Sequence, residues 1–136
     1  MSTIAGIRAG IQTKLAAHYT TWNIGSYLLA SPAPPQLDIV CGAIDYDTAM
    51  RRGNDDITFI VRALVQWGEL DSSQALLDTV VDLTGTDSVK TVLEADPTLG
   101  GACSAVRVSQ ASELKVYDPP GGSAIPGVEF TVLVTP

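Results

Sequence analysis

Apolar and polar residues alternate singly through residues 58–67, so that Phe59, Val61, Ala63, Val65 and Trp67 share one side and Thr58, Ile60, Arg62, Leu64 and Gln66 the other. A period of two predicts a β-strand with one wholly apolar face. Ile60 and Leu64 on the mixed face predict that this side is partly covered as well, by helices or by a neighbouring subunit. Residues 37–44, rich in β-branched side chains, form a preceding strand. Val128, Phe130, Val132 and Val134 alternate with Glu129, Thr131, Leu133 and Thr135 in a last one, and residues 105–108 and 114–117 read as one long or broken strand.

Helical spacing appears in two places. Ile4, Ile7, Ile11 and Leu15 recur every three or four residues behind Ser2-Thr3, which predicts an amphipathic helix ending near His18. Asp71 with Gln74 three residues on resembles a capping box, Leu76, Leu77, Val80, Val81 and Leu83 supply an apolar stripe, and Gly85 ends that helix. A shorter helix follows, with Asp87 as N-cap, Val89, Val92 and Leu93 on its buried side, and Asp96-Pro97 preventing continuation. The two form a helical hairpin, which Gly100-Gly101 ends by turning the chain into the next strand. Residues 20–29 read as a short strand or extended arm, and Ser31-Pro32-Ala33-Pro34-Pro35 as a stiff link. Helix, strands, two helices, strands is an α+β order: a single domain over residues 1–136, with an antiparallel or mixed sheet of about four strands and helices packed on it.

Composition narrows the function classes. Fifteen acidic against eight basic residues give a formal net charge of −7, which opposes nonspecific attachment to nucleic acid or anionic lipid. No apolar run approaches the ~20 residues of a membrane span, and the start of the chain lacks the pattern of a secretory signal. The expected compartment is the cytoplasm. Cys41 and Cys103 match no metal or redox spacing and read as small buried thiols.

The chain offers little chemistry. Its single histidine, His18, reads as a polar group at a helix C-terminus. No nucleophile elbow, zinc-protease helix, phosphate loop or dinucleotide fingerprint is present. No catalytic residue, metal ligand or cofactor site is assigned, and an enzyme is not expected. Trp22, Tyr46 and Trp67 read as core or interface residues, because stacking platforms for single strands come with a basic groove that this composition does not provide.

The most unusual stretch connects the first two strands. It gathers Asp45, Asp47, Arg51, Arg52, Asp55 and Asp56, with Tyr46 among them, into a connection longer than a hairpin needs. Its spacing is not that of a calcium loop. A locally balanced solvated loop, a hard-metal site and an ion-pair interface between copies all use these residues. A second loop, Asp118-Pro119-Pro120-Gly121-Gly122 onward to Pro126-Gly127, reads as a turn-rich hairpin tip with little capacity for regular pairing.

Three runs carry a resemblance. They are Asp45-Tyr46-Asp47-x-Ala49-Met50-x-Arg52-Gly53-x-Asp55-Asp56-x-x-Phe59-x-Val61, then Asp87-Ser88-Val89-Lys90-x-x-Leu93-Glu94-x-Asp96-x-Thr98-Leu99-Gly100-Gly101, and Tyr117 followed by a loop and Gly127-Val128-Glu129-Phe130-Thr131-Val132. This pattern, covering most of the chain beyond about residue 36, resembles tail terminator proteins of long-tailed phages that infect actinobacteria. The resemblance implies a virion protein assembled in the host cytoplasm. It would form a six-membered ring on the head-proximal end of the tail tube, stop tube polymerisation and meet the head–tail connector. DNA would pass through the ring without specific binding and no membrane would be involved.

A cyclic ring needs two different sticky surfaces on each subunit. The 45–56 connection is the first candidate, its aspartates pairing with arginines such as Arg51, Arg52 or Arg62, and the 118–127 hairpin is the second. A connector or stopper of the same joint is the nearest alternative, and a small metal-dependent enzyme using the Asp45–Asp56 carboxylates a more distant one.

Overall fold

The computed structural model describes residues 3–20, 22–25, 36–46, 55–65, 70–83, 85–86, 88–113, 115–117 and 125–135. In chain order the elements are α1 (Ile4–His18), β1 (Asn23–Gly25), β2 (Gln36–Asp45), β3 (Asp56–Leu64), α2 (Leu70–Val81), α3 (Val89–Glu94), a 3-10 turn (Leu99–Gly101), β4 (Ala105–Ala111), β5 (Lys115–Tyr117) and β6 (Ile125–Thr135). The architecture is α+β, as the element order predicts.

Among the described residues six strands form one mixed sheet in the order β1-β2-β3-β6-β4, with β5 also on β6. β1 runs parallel to β2 and every other pair is antiparallel. The count exceeds the four expected because the short strand or arm within residues 20–29 joins the sheet as β1 and the expected broken strand counts as two, β4 and β5. β4 and β5 follow one another along the same edge of β6, pairing Ala105–Ala111 and then Lys115–Tyr117, so the expected broken strand is present.

One face of this sheet holds the core. Leu37 and Ile39 of β2, Phe59, Val61 and Ala63 of β3, Val106 and Val108 of β4, and Val128, Phe130, Val132 and Val134 of β6 are all buried there. α1 supplies Ile7, Ile11 and Leu15, spaced four apart and each fully buried. Each such side chain contributes about 1.5–3 kcal/mol through burial. Arg8 completes the seam by lying along the apolar surface: its Nη1 donates to the Ile39 carbonyl at 2.9 Å while its guanidinium sits 5.7 Å from the centre of the Phe59 ring.

Helix ends follow local chemistry, with corrections to the expected caps. Thr3 Oγ1 accepts the Gly6 N–H at 3.0 Å and begins α1. α2 begins at Leu70, which puts Asp71 inside the first turn rather than at the cap, and ends at Val81 before Gly85. Leu83 is 85% exposed and does not belong to the apolar stripe, because the helix has ended before it. Ser88, not Asp87, is the N-cap of α3, and its buried Oγ makes no hydrogen bond. His18, in the last turn of α1, lies edge-on to Tyr19 at 4.9 Å, and Tyr19 lies edge-on to the buried Trp22 at 6.0 Å. Trp67 lies outside the described residues. Both cysteines are free thiols, Cys103 buried and Cys41 half-buried.

A turn around Asp96 joins α1 to the entry of β4. The Asp96 carboxylate accepts from Thr98 Oγ1 at 3.1 Å and the Gly100 N–H at 3.0 Å, and pairs with Lys14 of α1 at 2.8 Å. The hydrogen bond from Lys14 is the largest influence holding its pKa below the ordinary aspartate value. Leu99, Gly100 and Gly101 all have positive φ, of 50°, 71° and 96°, which reverses the chain. α1 approaches this turn at Gly10, where a Cβ would stand 3.1 Å from Leu99 Cβ and 3.3 Å from the Leu99 carbonyl oxygen.

The exposed edge of β4 is blocked at Val108. Glu94 Oε2 accepts the Val108 N–H at 3.0 Å, Lys90 Nζ donates to the Val108 carbonyl at 3.2 Å, and the two side chains pair at 2.6 Å. This occupies backbone groups that would otherwise template pairing with another strand. Burial, the largest single influence on Glu94, pushes its pKa up. The hydrogen bonds from Lys90 and Val108, with the charges of Lys90 and Arg107, outweigh burial and hold the carboxyl below its ordinary 4.5.

Two outcomes follow. Gly10→Val lowers stability by about 1–3 kcal/mol through overpacking against Leu99, whereas Ala5→Val at an exposed position of the same helix costs about 0.5 kcal/mol of helix propensity; urea midpoints of the two variants distinguish them. Because the Glu94 pKa is depressed on folding, its contribution is fully present above the unfolded value and is lost as pH falls through the lower folded value. Glu94→Gln therefore gives a flatter stability profile below pH 4.5 than the parent chain, measured by thermal unfolding across that range.

Candidate assembly surface

The second face of the sheet is built from rows in register. At one end, Asp38 of β2, Arg62 of β3 and Glu129 of β6 stand side by side, and Lys115 Nζ of β5 reaches Glu129 Oε1 at 2.9 Å. Negative, positive, negative and positive charges thus follow one another across four strands. Asp38 is fully buried and its carboxylate receives both the Nε, at 2.9 Å, and an Nη of Arg62. Gln36 Nε2 donates to Asp38 at 3.0 Å, and Leu64 beside it is fully buried. A buried carboxylate needs such a bidentate partner, because its solvation is lost.

The opposite end is different. Asp45 and Asp56 face each other as cross-strand partners, both exposed. Next to Asp56 in its row stand Thr135 and Ala105, and the row behind contains Thr58, Leu133 and Arg107. Leu133 is 41% exposed, and Arg107 is exposed with no ion pair among the described residues. These residues line a hollow of about 410 Å³ over the ends of β2, β3, β6 and β4. Between the two ends Val40, Ile60 and Thr131 are half-buried. The second face is thus covered at the Asp38 end and open at the Asp45 end, a partial cover in keeping with the half-buried Ile60 and fully buried Leu64.

Asp45 and Asp56 close the hairpin of β2 and β3, Tyr46 follows with 72% exposure, and Asp55 is half-buried just before β3. Asp47, Arg51 and Arg52 lie outside the described residues, as do Asp118, Pro119, Pro120, Gly121 and Gly122. Within one copy Arg62 stands away from the Asp45–Asp56 end of the hairpin. It lies six positions into β3, opposite Asp38, and is engaged there. A register shift between Cys41 and Ile44 brings the strand ends into line, and Gly42 lies in it, where a Cβ would stand 2.9 Å from the Thr58 carbonyl oxygen.

Arg107 and Leu133 join this surface without having been singled out in the sequence. They come to it through the pairing of β4 with β6, more than twenty residues apart, and no local signal reports that pairing. Among the described residues no group of three or more His, Cys, Asp or Glu side chains is placed to hold a metal ion, and no helix is long and apolar enough to cross a membrane.

No family model matches the chain, and no curated protein matches it.

Like charges directly opposite on neighbouring strands destabilise a sheet. Asp56→Asn accordingly raises stability by about 0.2–1 kcal/mol, and added salt narrows the difference from the parent chain as it screens the repulsion. Urea unfolding at two ionic strengths measures both effects.

Proposed function

We propose that this chain is a structural subunit of a long-tailed phage virion, a tail terminator that assembles as a ring on the head-proximal end of the tail tube and presents a surface to the head–tail connector. The resemblance of its three sequence runs to terminators motivates the reading. The observation that carries it is the open end of the sheet, where Asp45 faces Asp56 beside an exposed Leu133 and Arg107. Residues that reduce a monomer's stability or expose apolar surface are retained where they meet a partner, and charged groups there supply register and specificity.

The 45–56 connection springs from this end, with Tyr46 projecting beside it. In the ring it reaches the neighbouring subunit or the tube, and the 118–127 hairpin makes the second contact. A net charge of −7 suits a ring through which DNA passes, because it removes the attraction that would retard the phosphates.

Electron microscopy of the purified protein mixed with assembling tube protein from the same genome tests the reading. Caps at one end of tubes whose growth has halted are the expected result, and a chain carrying Arg51→Glu and Arg52→Glu leaves the tubes uncapped while remaining folded by circular dichroism. Uncapped tubes with the parent chain would overturn the terminator assignment and direct attention to DNA-filled heads. Capping that survives the double reversal would remove the loop from the interface.

A further inference from the structure

We infer that, before any assembly, the free protein pairs with a second copy of itself through the open end of the second sheet face, about a two-fold axis near Leu133. The inference goes beyond the ring reading and does not rest on it, since a two-fold contact uses one patch on both copies whereas a ring uses two different patches.

The patch is complementary to itself. Asp45 and Asp56 lie on the β2–β3 side of the hollow and Arg107 on the β4 side, with Leu133 between Thr58 and Arg107 in the row behind. A two-fold axis close to Leu133 exchanges the sides, so each Arg107 faces the carboxylate pair of the other copy. The same operation sets the two exposed leucines against each other and removes their apolar surface from water.

Charge satisfaction selects this end of the face. At the other end Asp38, Arg62, Glu129 and Lys115 already answer one another within one copy. Here two like carboxylates oppose each other, and among the described residues the nearby guanidinium makes no ion pair within 4.0 Å, its charge acting only at longer range on Glu94. A second copy supplies each with the opposite sign. β4 does not extend the sheet into the partner, because Glu94 and Lys90 occupy the Val108 backbone. The pairing is therefore face to face.

The contact is small and polar, and the two copies each carry −7, so the expected dissociation constant is on the order of 10–100 µM. Sedimentation of the protein alone, without tube protein, across concentrations spanning that range gives the test. A monomer–dimer equilibrium is expected, with Arg107→Glu weakening it at least about tenfold. A chain combining Arg107→Glu with Asp45→Lys and Asp56→Lys restores it, because each copy then presents the reversed pattern to the other. All three positions are exposed, and circular dichroism verifies folding; Leu133→Asp disrupts the same contact from its centre.

A protein that stays monomeric throughout the range overturns the inference. So does a dimer indifferent to Arg107→Glu and Leu133→Asp, or one lost in the single variant and not recovered in the triple.

Discussion

β6 is hydrogen-bonded on both sides, to β3 along one edge and to β4 and then β5 along the other, and its register decides which residues share each face. Val128, Phe130, Val132 and Val134 stand opposite Ala63, Val61, Phe59 and Ile57, so four cross-strand pairs place eight apolar side chains on the core side. A slip of one residue would exchange that set for Gly127, Glu129, Thr131 and Leu133. It would bury Glu129 and separate it from the charges it stands beside. The α1 seam, the Arg8 contact with Ile39 and Phe59, and the row of alternating charge all exist because this register is held.

Much of the fold could be read from the residues because the decisive patterns are local. The four-residue spacing of Ile7, Ile11 and Leu15 marks the buried side of α1, and the alternation in β3 marks the core face without knowledge of a partner strand. The run from Ser88 to Gly101 carries a local structural reason at most of its positions. Ser88 stands at the N-cap position of α3 with extended backbone and no side-chain cap, Val89 and Leu93 are buried, Lys90 and Glu94 hold the edge of β4, and Asp96, Thr98 and the two glycines build the turn that meets α1. That run therefore encodes a supersecondary unit and says nothing of chemistry. What failed were ends: Asp71 and Asp87 both look like caps, yet α2 starts at Leu70, one residue before Asp71, and the extended N-cap backbone of α3 falls at Ser88.

The candidate surface was half legible. Charge density between the first two strands marks Asp45, Asp55 and Asp56 directly, as any unusual loop composition would. Arg62 illustrates the limit of such reasoning. As a counter-charge for those aspartates within one copy it is out of reach, because the strand carries it six residues and roughly 20 Å at about 3.3 Å per residue away from Asp56. There it meets Asp38, whose complete burial makes the pair costly to break, by about 3–5 kcal/mol when one partner is removed. Arg107 and Leu133 reach the open end through β4–β6 pairing, which is a property of the folded chain alone.

The two ends of one sheet face thus resolve the same problem differently. At the Asp38 end, oppositely charged residues occupy adjacent strands and are covered, and their value is structural: they fix which strand lies next to which. At the Asp45 end the pairing rule is broken, with two carboxylates opposed and an apolar side chain left facing water. A sequence shaped only for the stability of an isolated monomer has inexpensive remedies for both, since Asp56 and Leu133 are exposed and a polar neutral residue at either position disturbs no core contact. Their presence on one connected hollow, beside the exposed Arg107, is the physical reason for treating this end of the sheet as a surface that meets another molecule.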